Sequence, residues 1–172
     1  RTERGRALQL NAGVASTQRP WLWFLHADSV VTGAAVEALQ LALEGAQWGR
    51  FDVTLSCDAP WFRLIAWAMN QRSAVTSICT GDQGMFVRRA LLERIGGIPD
   101  QLLMEDIELS KRLRRIAKPT RVRTLLGTSS RRWEQDGIVR TILLMWELRL
   151  RYFLGASPEV LAARYYPDGR RA

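Results

Sequence analysis

Trp21-Leu22-Trp23-Phe24-Leu25 constrains this chain more tightly than any other stretch. An unbroken apolar run this short and this aromatic, stopped by His26-Ala27-Asp28-Ser29, fits a strand covered on both faces within a parallel sheet. Ahead of it, Ala7, Leu8, Leu10 and Val14 repeat at helical spacing between Gly5 and Ala15, and Pro20 breaks the repeat. Behind it, Thr32 suits the cap of a helix whose Val36, Leu39 and Leu43 share a face, with Gly45 near its end. Helix, strand and helix in this order predict an α/β layer fold.

The remaining segments continue the alternation. Phe51, Val53 and Leu55 alternate with Asp52, Thr54 and Ser56, the period of a strand with one buried face. A helix is expected over 60–70, a loop at Gly81-Asp82-Gln83-Gly84, a short strand at Met85-Phe86-Val87, and a helix over 88–95 stopped by Gly96-Gly97. Between 105 and 117 a further helix would turn Ile107, Leu113 and Ile116 inward and Lys111, Arg112, Arg114 and Arg115 to solvent, with Pro119 beyond it. Val122 to Leu126 reads as a last strand and 137–154 as a long, largely apolar helix with Arg140, Glu147 and Arg151 in line. Ser157-Pro158 opens a final short helix.

At 172 residues and 47% hydrophobic content, one domain with a packed core is expected: a core over 1–133 and a helical extension over 134–172. Cys57 and Cys79 are too few to staple such a domain and have no metal-ligand spacing, which points to a reduced, cytoplasmic setting. The apolar run Ile142 to Trp146 is far shorter than the roughly 20 residues of a spanning helix. Of the net charge of +8, residues 1–110 contribute 10 Lys/Arg against 12 Asp/Glu, and residues 111–172 contribute 15 against 5. A basic surface of that kind attracts anionic headgroups, nucleic acid or a phosphorylated substrate, and charge alone does not choose among them.

In open α/β sheets ligands bind beyond the carboxyl ends of strands, so His26 and Asp28 are the first candidates, able to converge on a phosphate or a divalent cation. Turn capping by Asp28 is the plainer alternative. Three acids, Glu105, Asp106 and Glu108, crowd a helix start, where the helix dipole favours them in any case. Asp106, framed by Met104 and Ile107, also suits a general base. Gly81, Asp82 and Gln83 form a turn through which backbone can approach a ligand. Ser129-Ser130-Arg131-Arg132-Trp133 combines hydroxyls, guanidinium groups and an indole suited to phosphate and sugar contact, or else forms a solvated basic loop.

Taken in order, these segments resemble the family-2 glycosyltransferases of GT-A fold. Gly5-Arg6-Ala7-Leu8-Gln9-Leu10-Asn11-Ala12-Gly13 resembles the family's G-x-A-x-x-x-N-x-G helix, and Trp21 to Asp28 its strand and Asp-x-Asp motif, with His26 in place of the first Asp. Gly81 to Arg89 with Gly96-Gly97 is similar to the acceptor-side segment, and Met104-Glu105-Asp106-Ile107-Glu108-Leu109 to the E-D-x-E-L motif. The wording, including Leu-His-Ala-Asp and Thr-Ser-Ser-Arg-Arg-Trp, is most similar to a bacterial branch, the radical-SAM/selenodomain-associated transferase-2 family.

The resemblance implies an inverting transferase that moves a sugar from a UDP- or GDP-sugar to an acceptor hydroxyl. Asp106 would be the general base and Glu105 its support. Asp28 would hold Mn2+ or Mg2+ against the donor diphosphate, and Arg6, His26, Gly81, Asp82, Gln83, Arg131, Arg132 and Trp133 would line the donor and acceptor sites. It begins after the family's first strands and nucleotide loop, so the expectation is a Rossmann-like, mixed and mainly parallel sheet lacking its first strands, with further chain upstream. A competing expectation is a non-catalytic basic module docking on an anionic membrane or nucleic acid; of the two, nucleic acid is not expected, because the aromatic–basic alternation and a named fold signature for it are missing. The helix over 137–154 would serve either a peripheral contact at the inner face of a membrane or a homodimer.

Overall fold

The computed structural model describes residues 5–166. They form two compact units, one of residues 5–18, 98–105 and 131–166, the other of residues 19–97 and 106–130. The second unit is an α/β layer on a mixed four-stranded sheet in the order β1-β3-β2-β4, comprising β1 (Trp21–Trp23), β2 (Trp48–Leu55), β3 (Phe86–Arg88) and β4 (Thr120–Thr128). β3 runs antiparallel to both neighbours, and β2 pairs with β4 in parallel. The carboxyl ends of β1, β2 and β4 and the amino end of β3 therefore share one edge of the sheet.

Several expectations for this unit change. β1 is a three-residue strand with only Leu22 buried; β3 pairs it antiparallel on one side and, among the described residues, no strand pairs its other side, so it is an edge strand and not an interior one covered on both faces. β2 is longer than its alternation suggested and buried on both faces except at Thr54. Asp52, read by period as outward, is hidden by pairing with the buried Arg50, and the register with β4 shifts between Phe51 and Asp52, which breaks the simple period of two. Phe51 and Phe86 meet edge-on in the core with Ala35, Ala46, Val122 and Leu126, and Trp23 stacks on Phe51 at 5.4 Å between centroids.

Helix α2 (Gly33–Leu43) starts as expected, with Thr32 Oγ1 accepting the Ala35 amide at 3.2 Å. Its inward side consists of Ala35, Ala38, Leu39, Ala42 and Leu43, so small residues let it approach the sheet and Val36 is turned outward. Helix α3 (Pro60–Thr76) runs one and a half turns past the expected end, and α4 (Arg89–Arg94) stops before Gly96, whose φ of 84° is open to glycine. Helix α5 (Glu105–Arg114) buries Ile107, Leu109 and Leu113; Ile116 lies in the turn beyond it and is exposed, contrary to expectation.

The first unit is helical. It contains α1 (Arg6–Ala15), α6 (Arg131–Asp136), α7 (Ile138–Phe153) and α8 (Pro158–Tyr165), with α7 packed against α6 and α8. Arg131, Arg132 and Trp133, read as a possible loop, begin a short helix instead. Among the described residues no helix is long and apolar enough to cross a membrane.

Candidate functional site

The sheet edge where three strands end and β3 begins collects the polar residues of the second unit. After β1, His26 to Ser29 close a turn in which the Ser29 amide donates to the His26 carbonyl at 3.0 Å and the His26 amide donates to Ser29 Oγ at 3.1 Å. This turn, rather than strand alternation, brings His26 Nδ1 to 3.8 Å from Asp28 Oδ1, with both side chains substantially exposed. Chain then crosses to the far edge of the sheet, where Val30 exchanges two backbone hydrogen bonds with Gly127 of β4.

Gly81–Gln83 forms a 3₁₀ turn directly before β3. Gly84 follows at φ 55°, and a Cβ there would stand 2.5 Å from Leu126 Cδ2, so the chain needs glycine both for conformation and for space. The turn is fastened from several directions. Gln83 is fully buried, its carbonyl oxygen accepting the Thr80 amide at 3.1 Å and its amide donating to Ser73 Oγ of α3 at 2.8 Å. Ser110 of α5 accepts from the Cys79 amide at 3.0 Å and donates to the Cys79 carbonyl at 3.2 Å. Gln83 thus shapes the turn from beneath it. Asp82 stays partly exposed, with Oδ1 buried and without a hydrogen-bond partner among the described residues.

Asp106 completes the edge. Its Oδ2 accepts the Gly81 amide at 2.9 Å and its Oδ1 accepts the Ile107 amide at 2.7 Å. Two amides, one on each oxygen, fix the plane of the carboxylate while leaving each oxygen a further lone pair. Such a group is oriented yet still able to accept a proton. By contrast, burial pushes the nearby Cys79 thiol up to about 12, so it stays protonated and offers no nucleophile.

In the first unit, α1 fastens the segment that leads to Asp106. The Asn11 carboxamide donates to the Ile98 carbonyl at 3.0 Å and accepts its amide at 3.3 Å, and Arg6 pairs with buried Glu105 at 2.9 Å. Between these ties Met104 holds φ at 66°, a left-handed conformation that costs a side-chain-bearing residue about 1–3 kcal/mol. On α6, Arg132 lies over the Tyr165 ring at 3.9 Å, which sets the guanidinium against α8. Arg131 is exposed and Trp133 half-buried.

Residues singled out in the sequence are therefore brought together in part: His26 with Asp28, Gly81 with Asp106, and Arg6 with Glu105. One pairing had no local signal, although Ser130 itself belongs to the Ser129–Trp133 cluster. Ser56 and Ser130, at the ends of β2 and β4, meet Oγ to Oγ at 2.7 Å across 74 residues, and the Ser130 amide donates to Ser56 Oγ at 3.0 Å. Asn11 was visible only as a letter in the G-x-A-x-x-x-N-x-G string, and its tie to Ile98 spans 87 residues. Comparison with protein-family models, curated proteins and solved structures finds no match to this chain.

Proposed function

We propose that this chain is the catalytic part of an inverting, nucleotide-sugar-dependent glycosyltransferase of GT-A fold, with Asp106 as its general base. The observation that carries the reading is the Asp106 carboxylate, aimed by two backbone amides at the sheet edge where α/β folds bind ligands. In the reaction it would take the proton of an acceptor hydroxyl as that oxygen attacks the anomeric carbon and the nucleoside diphosphate leaves from the opposite face. Fixing the base beforehand removes the need to orient it during attack, and a placed base contributes on the order of a hundred- to ten-thousand-fold in rate. Glu105, next in sequence and bound to Arg6, would anchor the helix start that carries Asp106.

Asp28, with His26 beside it, suits Mn2+ or Mg2+ in a restricted way. Among the described residues no three His, Cys, Asp or Glu side chains converge as a stand-alone cation site. A hard cation held by one carboxylate, waters and substrate phosphates needs no such set, so these residues fit a cation that arrives with the donor. Bound there, it would offset negative charge on the leaving diphosphate.

Thermal denaturation with UDP or GDP, with and without Mn2+, tests the reading. At about a hundredfold excess over Kd the midpoint is expected to rise roughly 5–10 °C, with the cation strengthening the shift. Asp106→Asn should keep that shift and lose release of nucleotide from the sugar donor. Absence of a shift with either nucleotide would sink the proposal, and full turnover by the Asn variant would remove Asp106 from the role of base.

A further inference from the structure

Along α7 the residues Val139, Leu143, Trp146, Leu150 and Phe153 recur at alternating intervals of four and three, and each is at least 60% exposed. The opposite side of the same helix carries the buried Thr141 and Leu148 and packs on α6 and α8. A surface stripe with a mean interval of 3.5 residues is the seam of a coiled coil, whereas a helix lying on its own core shows a broader apolar face. Single exposed apolar residues need no explanation; five in one line do.

We infer that α7 is a self-association surface whose partner is the α7 of a second copy of this chain, paired antiparallel about a two-fold axis. Charge placement selects this occupant. Immediately after Val139 and Trp146 in the stripe come Arg140 and Glu147, so one flank of the seam carries both signs. In an antiparallel two-fold pair, like flanks meet, and Arg140 of each copy joins the Glu147 carboxylate of the other, which Arg151 and Arg164 of its own copy hold at 2.8 and 3.4 Å, giving two complementary contacts. A parallel pair would set Glu147 against Ile142 and gain neither.

Shape agrees with charge. Beside the seam lies a groove of about 700 Å³ lined by Arg132, Arg140, Leu143, Glu147 and Tyr165. The same register places Leu143 opposite Trp146 of the second copy and Val139 opposite Leu150, so each copy offers a projecting indole where the other offers a hollow. A bilayer surface has no knob for such a groove, and anionic headgroups gain nothing from Glu147 on the flank, which Arg151 already holds at 2.8 Å.

Sedimentation velocity on the 172-residue chain, over loading concentrations up to roughly 100 µM, tests this. A reversible monomer–dimer equilibrium is expected. Leu143→Glu with Trp146→Glu, both at exposed positions, should weaken it by about a hundredfold or more; Arg140→Glu alone should weaken it about tenfold, and adding Glu147→Arg should return it to within about threefold of the parent. A chain monomeric at every concentration overturns the inference, as does a dimer indifferent to the paired Glu substitutions. So does failure of the double charge reversal to recover association, or a monomer that co-sediments with phosphatidylserine-containing vesicles through this stripe.

Discussion

The α/β unit places charge in two ways, and they contrast. In the interior, Arg50 is 1% exposed and its guanidinium donates to the Phe51 and Asn70 carbonyls at 3.1 and 3.0 Å and to the Asp52 carboxylate; Arg121 closes on the same carboxylate in a bidentate pair at 3.0 and 2.9 Å. Burial draws the Arg50 pKa down and the facing Asp52 opposes that fall. Donors and acceptors there are matched among themselves, leaving little for a ligand. At the sheet edge, Asp106 is held by two amides among the described residues and Asp28 by its turn. A saturated network rigidifies the sheet; an oriented but unsaturated carboxylate is what proton transfer requires.

Substitution separates the two. The largest effect is expected at the edge: Asp106→Asn should cost on the order of a hundred- to ten-thousand-fold in turnover of the sugar donor while moving the urea unfolding midpoint little, since the amide oxygen can still accept one backbone N–H. Arg50→Met should reverse the pattern. It takes one donor from the Phe51 carbonyl of β2 and one from the Asn70 carbonyl of α3, and breaking a buried ion pair from one side costs about 3–5 kcal/mol, read as a lower urea midpoint with an unchanged slope. If Arg50→Met were silent in stability, the interior network would not be what rigidifies the sheet.

This division was only half visible in the residues. Local signals are legible where physics is local: Thr32 caps α2, Gly96 follows α4, and the 3₁₀ turn lies within the expected Gly-Asp-Gln-Gly loop. Long-range pairing is not. Nothing near Trp21 announces that β3 will insert antiparallel beside β1 and leave it at an edge, and nothing near Asp52 announces Arg121 across 69 residues. A charged residue in a strand reads as outward until its partner is known. Asp106 and Gly81 were each picked out, by composition and by order along the chain, but the hydrogen bond that joins them across 25 residues is a product of folding.

Asn70 gives a finer test of the interior. β3 pairs with β2 only at Trp48 and Gly49, so farther along that edge the backbone of Val53 is met by the Asn70 carboxamide, which accepts its amide at 2.9 Å and donates to its carbonyl at 3.0 Å. A side chain there replaces a missing strand. Asn70→Ala would leave both groups buried and unmet, and the expected loss is about 1–3 kcal/mol by urea unfolding, below that for Arg50→Met. A loss as large as that for Arg50→Met would mean that α3 detaches from β2 as a unit.

The smallest effect belongs to an ion pair with the geometry of the interior one and none of its burial. Arg63 grips Asp58 at 2.9 and 2.7 Å, and the hydrogen bonds and charge of Arg63 hold the Asp58 carboxyl below its ordinary range. A depressed folded-state pKa adds stability above the unfolded value, and that stability fades as pH falls through the folded one. With both side chains in water, screening removes most of it. Arg63→Ala is therefore expected to leave the unfolding midpoint at pH 7 unchanged within error, and any difference from the parent should be confined to neutral pH and vanish in acid. A clear drop at pH 7 that persisted in high salt would show that geometry alone, without exclusion of water, makes such a pair strong, and would undo the distinction between the interior network and the surface.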